Sequence, residues 1–134
     1  MSAKMMTSSG MMRRVRAKNT APELAVRRAL FARGYRYRLH IANLPGKPDL
    51  AFPGRRKAIF VHGCFWHQHS GCPKATVPGT RTDWWRTKLQ RTVERDRENR
   101  AALESMGWTV AIAWECETRR FDDLMPRLTA FLSD

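Results

Sequence analysis

Carboxylates are scarce: 12 Asp and Glu stand against 25 Lys and Arg in 134 residues, a formal net charge of +13. So one-sided a balance favours polyanion partners, because each neutralised phosphate releases condensed counterions. Nucleic acid is the leading partner and an anionic membrane surface the competing one. Long apolar runs are also missing. The longest candidate, Val110 to Trp114, is strand-sized and far below the roughly 20 residues of a membrane span. Residues 1–10 hold no apolar run of the kind a secretory signal needs, so a cytoplasmic location is expected. Only three cysteines are present, an odd number and too few for a disulfide framework. For Cys64, Cys72 and Cys116 metal binding is therefore the first question.

What is there is an ordinary hydrophobic fraction, 43%, in a chain long enough for one core. Residues 1–18, with Arg13, Arg14, Arg16 and Lys18, read as a flexible basic arm, and 19–134 as the single folded domain. Thr20 and Glu23 have capping-box spacing ahead of an apolar face at Leu24, Val26, Leu30 and Phe31, and Gly34 ends that helix. Tyr35, Tyr37 and Leu39 alternate with Arg36, Arg38 and His40, the pattern of a half-buried strand with a basic outer face. The turn Leu44-Pro45-Gly46-Lys47-Pro48 delivers Asp49 to a short strand, Leu50 to Phe52, and a third strand runs from Ala58 to His62. After a loop from Gly63 to Thr82, Thr82 caps a long helix over Asp83 to Met106 that Gly107 closes. Trp108 to Trp114, dense in apolar residues, reads as an interior strand. A last amphipathic helix is interrupted or started by Pro126. The order α-β-β-β-α-β-α is that of an α/β protein with a mixed central sheet flanked by helices.

Four features carry chemistry. Cys64, His67, His69 and Cys72 fall within nine residues, and Cys116 adds a third thiol. Soft thiolates with an imidazole are zinc ligands, and four protein ligands leave no open position, so a structural Cys3His site is expected with one of the two histidines left over. Asp96 lies in the same stripe of the long helix as Trp85, Leu89, Thr92, Val93, Arg100 and Leu103. It either pairs with an arginine or, in a cleft at the sheet's edge, orients a metal water or one of the imidazoles of His62 and His67. Asp49 either caps its turn or holds Mg²⁺ against a phosphodiester, since hard oxygen ligands suit that ion. Phe65 and Trp66 in the loop and Trp84-Trp85 at the helix start complete the set. Two adjacent helical tryptophans cannot both face the core, and an exposed aromatic beside basic residues can stack on bases or wedge between them.

Met12-Arg13, Pro22-Glu23-Leu24, Leu44-Pro45-Gly46-Lys47-Pro48-Asp49, Phe60-Val61-His62-Gly63-Cys64-Phe65-Trp66-His67, Thr80-Arg81-Thr82, Val93-Glu94-Arg95-Asp96-Arg97 and Trp114-Glu115-Cys116 occur in this order. Together these strings resemble the very short patch repair (Vsr) DNA mismatch endonucleases of the restriction-endonuclease-like superfamily. The resemblance implies a Mg²⁺-dependent enzyme that nicks one strand of double-stranded DNA 5′ of the thymine in a T:G mismatch, in repair of deaminated 5-methylcytosine. It implies a monomer of the bacterial cytosol or nucleoid with no membrane partner. It makes Asp49 a Mg²⁺ ligand through its carboxylate and Val61 one through its backbone carbonyl, at a position where the family often has Thr. It makes His67 the general base, His62 and Glu23 accessory groups around the metal waters, and Asp96 the partner of the catalytic imidazole. Cys64, His69, Cys72 and Cys116 become the zinc ligands. Phe65, Trp66 and Trp85 become aromatics inserted beside the mismatch, with Met12 and Val15 approaching from the other side. The second acid and the lysine of the superfamily's Pro-Asp…(Asp/Glu)-x-Lys pattern are missing, a departure that the family shares. The competing expectations are a zinc-stabilised DNA-binding module without cleavage, or a less selective nicking nuclease of the same fold.

Overall fold

The computed structural model describes residues 20–133. The basic arm expected over residues 1–18, with Met12 and Val15, lies outside the described residues. Helix α1 (Ala21–Ala32) starts as its sequence dictates: Thr20 is extended and its hydroxyl accepts from the Glu23 N–H at 3.4 Å. Gly34 beyond its end takes φ 91°, the left-handed stop that a side chain would oppose. Strands β1 (Arg38–Leu39), β2 (Leu50–Phe52), β3 (Lys57–His62) and β4 (Thr109–Trp114) form one sheet in the order β1-β2-β3-β4. The first two pairings are antiparallel and β3 with β4 is parallel, the long helix α2 (Thr82–Ser105) lying on the connection between them. Helix α3 (Phe121–Ser133) closes the chain. None of the helices among the described residues is long and apolar enough to cross a membrane.

Alternation along the strands divides the core in two. Leu50, Phe52, Ile59, Ala111 and Ala113 point to one face, where Val26 and Leu30 of α1 meet Leu124, Met125, Leu128 and Leu132 of α3. Ala51, Ala58 and Val110 point to the other, under Leu44 and Leu103 of α2. This is the mixed, helix-flanked α/β sheet that the sequence order implies, with helices on both faces.

Four local expectations need correction. The strand expected over Tyr35 to His40 pairs only at Arg38 and Leu39, because its partner β2 has three residues before Pro53 turns away; Tyr35 and Tyr37 pack on the core beside it. Strand β4 is at the sheet edge among the described strands, not interior. Its apolar density reflects two faces covered by α2 and α3 instead of two neighbouring strands. The α2 cap is Arg81, in a left-handed conformation at φ 54°, while the Thr82 hydroxyl donates to the Pro78 and Gly79 carbonyls at 3.0 and 2.9 Å. Pro126 sits inside α3 and neither starts nor interrupts it. The missing N–H is tolerated in a helix whose opposite face buries four large side chains.

Candidate active site and cysteine cluster

Two structural seams meet at the C-terminal ends of the parallel pair β3 and β4. The first lies in the loop that follows β3. Cys64 is buried at its start, His69 and Cys72 follow, and Cys116 arrives in the 3-10 turn after β4 (Glu115–Arg119). The Cys64 and Cys116 Sγ atoms lie 3.6 and 3.5 Å from His69 Nδ1, and the four donor atoms, with that of Cys72, are all within 4.8 Å of one another. A tetrahedral ion with metal–S near 2.3 Å and metal–N near 2.1 Å separates S from N by about 3.6 Å, so this donor set fits such an ion. Burial pushes the Cys64 thiol up to about 12, a cost that a cation at the centre would reverse. The imidazole of His69 stacks on Trp114 at 4.1 Å, which fixes its ring, and the Cys116 N–H donates to Cys64 Sγ at 3.4 Å. Of the two histidines that the sequence left in competition, His69 joins the thiols and His67 turns the other way.

His67 faces α2. Its Nδ1 lies 2.6 Å from Asp96 Oδ2, and its ring stacks on that of His62 with centroids 3.7 Å apart and planes 4° from parallel. Asp96 thus orients an imidazole, and the arginine pairing is not formed among the described residues. Nothing described hydrogen-bonds the buried His62 Nδ1. Burial, reinforced by His67, holds His62 down at about 3, so it is neutral at physiological pH.

That depression has a measurable consequence. Below its ordinary value of 6.5 the unfolded chain binds a proton at His62 that the folded chain refuses, so stability due to this residue is lost as pH falls from 6.5 towards 3. Asp49 runs the other way, since its folded value is raised, and the two oppose each other between about 6 and 3.8. Comparison with a variant isolates one of them. The stability of His62→Gln relative to the parent should rise by about 1.4 kcal/mol for each pH unit below 6.5. Urea unfolding at several pH values checks this, and a constant difference would contradict it.

Asp49, just before β2, accepts the Val61 N–H at 2.7 Å through Oδ2. Burial raises its carboxyl to about 6, against the lowering effect of that hydrogen bond; the charge of nearby Glu23 adds to the rise. Buried Glu23 comes from α1, and His40 Nε2 lies 2.8 Å from Glu23 Oε2 and 3.9 Å from Asp49 Oδ1. The three offer ligand atoms within 4.8 Å of one another, and a hard, oxygen-seeking cation would relieve the desolvated carboxylates. The alternation with Arg36 and Arg38 places His40 outward, so nothing in the sequence singles it out for this site. The sharp turn that brings it inward has no signature in the alternation.

Glu23, Asp49, Val61, His67 and Asp96 all line one open cleft of about 720 Å³. Its far wall is α2, with Lys88, Arg91 and Arg95. These cations were also missed individually, although one per helical turn on a basic helix is the spacing that finds them. Trp66 and Trp84 line the cleft, and behind them Phe65, Trp66 and Trp85 pack edge-on or tilted with centroids 5.1 to 5.8 Å apart. Trp85 is half-buried in that cluster and Trp84 is 46% exposed, so the adjacent pair divides as the helix geometry requires.

The family described as DNA mismatch endonuclease Vsr matches residues 3–74. The chain is 48% identical over 122 residues to the type II nicking enzyme V.XorIIP of Xanthomonas oryzae pv. oryzae, covering 91% of this chain and 89% of that one. It is 42% identical over 113 residues to the DNA mismatch endonuclease Vsr of Escherichia coli, 84% of this chain and 72% of that one. With the type II nicking enzyme V.NmeAIP of Neisseria meningitidis the identity is 40% over 111 residues, 83% and 79% of the two chains. A family match over more than half of the chain, and relatives this similar over most of their lengths, show that the chain belongs to the Vsr family of DNA mismatch endonucleases and is an endonuclease.

Proposed function

We propose that this endonuclease nicks one strand of duplex DNA 5′ of the thymine of a T:G mismatch, as a monomer and with Mg²⁺, in repair of deaminated 5-methylcytosine. The observation that carries the reading is the His67–Asp96 pair at 2.6 Å in the same cation-walled cleft as Asp49. A pure binding module has no use for two acids and an imidazole beside phosphate. Asp49 and the Val61 carbonyl would hold the Mg²⁺, with Glu23 and His62 around its waters. When bound, the ion supplies a Lewis acid for the scissile phosphate. Asp96 takes the Nδ1 proton of His67 as a hydrogen bond and so leaves Nε2 as the lone pair that removes a proton from the attacking water. His62, neutral and stacked on His67, steadies the ring without adding a charge that would oppose its protonation. Lys88, Arg91 and Arg95 hold the phosphate backbone, which sets register but carries no sequence information.

Mismatch preference is assigned to Phe65, Trp66 and Trp85. Opening a base step costs roughly a few kcal/mol, less at a wobble pair that is already displaced. Trp66→Ala should therefore lower discrimination between mismatched and matched duplex more than it lowers general affinity. Competition binding on the two duplexes measures this, and equal losses on both would contradict the wedge role. The relative names support the reading, since they include both a mismatch endonuclease and nicking enzymes. The test of the whole is a pair of oligonucleotide duplexes, T:G and C:G, labelled in turn on each strand. The expected product is one cut, 5′ of the thymine, in the T:G duplex with Mg²⁺ present.

Zinc is assigned to Cys64, His69, Cys72 and Cys116 on the fit of their spacing to a tetrahedral ion. It ties the loop carrying Phe65, Trp66 and His67 to the end of β4 and takes no part in the chemistry. Elemental analysis should give one zinc per chain, and Cys116→Ser should lower the melting temperature, because a structural site contributes folding free energy directly. A Cys116→Ser protein as stable as the parent would remove the structural role.

A further inference from the structure

By the alternation of Tyr35, Tyr37 and Leu39 with Arg36 and Arg38, residue 40 belongs on the outer, basic side. It is not there, because β1 stops at Leu39 and His40 adopts φ 48°. A left-handed conformation is uncommon away from glycine and persists where the surroundings over-determine it. Here the His40 N–H reaches the Asp49 carbonyl at 3.4 Å, and the imidazole swings inward between Glu23 and Asp49. Each oxygen of Asp49 then has its own neighbour. Oδ2 is fixed by the Val61 N–H at 2.7 Å, and Oδ1 is the oxygen that faces His40 at 3.9 Å. The His40 Nε2 is buried and makes no hydrogen bond among the described residues, although Glu23 Oε2 is 2.8 Å away: it lies between the carboxylates without aligning to either. Glu23 is in turn held from outside by Arg27 at 3.1 Å.

The geometry points to His40 as a positioning residue of the cation site: wedged between Glu23 and Asp49, its imidazole keeps two like-charged groups from α1 and the head of β2 side by side, so that Asp49 meets a divalent cation in one orientation. The inference rests on the reading of Asp49 as a cation ligand. Its scale follows from comparable sites, where removing a group that orients a ligand weakens the metal by about 10- to 100-fold.

The test is binding of Mn²⁺ alone to the whole chain without DNA, followed by the electron paramagnetic resonance signal of the free ion. His40→Ala should bind at least about tenfold more weakly than the parent. His40→Gln, whose amide nitrogen reaches nearly as far as the imidazole Nε2, should recover most of that loss. The Mg²⁺ concentration that gives half-maximal nicking should shift in the same order, while the rate at saturating Mg²⁺ and duplex affinity in EDTA stay at parental values. Parental Mn²⁺ affinity in His40→Ala would overturn the proposal. So would equal losses in the Ala and Gln variants accompanied by a lower melting temperature, the mark of a merely structural histidine. If His40→Ala does not fold, His40→Asn, whose amide is too short to span both carboxylates, replaces it in the same comparison. Asp49→Asn separates the two claims. Loss of Mn²⁺ in Asp49→Asn with none in His40→Ala defeats only the positioning role, whereas full affinity in Asp49→Asn defeats the ligand reading beneath it.

Discussion

Asp49→Ala should eliminate nicking, with a loss on the order of 10³-fold or more, and leave duplex binding intact or tighter. On the proposed role of Asp49 as a Mg²⁺ ligand, removing its carboxylate forfeits several kcal/mol of charge stabilisation at the phosphate, and about 4 kcal/mol corresponds to roughly 10³ in rate. Binding moves the other way because an acid facing phosphate is repulsive, and the cations of the opposite wall remain. One structural side effect must be separated from this. Asp49 accepts the Val61 N–H, and truncation leaves that donor unpaired at a cost of about 1–3 kcal/mol. Asp49→Asn keeps an acceptor and loses only the charge. It should be as inactive as the alanine variant but closer to the parent in melting temperature. Rates from single-turnover assays at saturating enzyme check both, and a near-parental rate in either would withdraw Asp49 from the chemistry.

His67→Ala is expected to slow cleavage by about 10²- to 10⁴-fold, the range over which a positioned general base contributes. The partner residue gives the sharper comparison. Asp96→Asn can present its amide N–H to His67 Nδ1 and thereby favour the tautomer with the proton on Nε2, the nitrogen that must accept. A large loss in Asp96→Asn with unchanged duplex affinity is therefore expected. Parental rates in His67→Ala would hand the role of base to another group.

The parts of this molecule written in local chemistry were legible from the sequence. The Thr20 cap, the glycine stops after α1 and α2, the two-residue alternation that splits the core and the clustering of Cys64, Cys72 and Cys116 with a histidine all depend on neighbours within a few residues or on ligand chemistry. Residue reading alone could not choose between His67 and His69, since either satisfies a spacing rule. What separates them is Asp96, 29 positions away and on another element. Likewise the apolar run of β4 could not distinguish an interior strand from an edge strand covered by helices on both sides. His40 stayed hidden for a third reason, because one left-handed residue reverses the face that alternation assigns to it. Arg81 as the cap of α2 is of the same kind: Thr82 has the right chemistry for the position, but its hydroxyl is spent on the preceding turn. The site is thus written in the sequence as residue types, and its geometry comes from long-range packing and from left-handed residues such as His40 and Gln68.

The most direct test of the central claim uses covalently closed circular DNA carrying a single T:G mismatch, beside the same circle with a C:G pair. With Mg²⁺ and enzyme in excess, the mismatched circle should pass to the open circular form and stop there, because the proposed monomer, with one Asp49-centred site and one His67, makes one cut. The matched circle should stay closed. Raising the salt should slow the reaction on the mismatched circle while preserving its preference over the matched one, since phosphate contacts are common to both. Linear product from the mismatched circle, or equal relaxation of the two circles, would contradict the account.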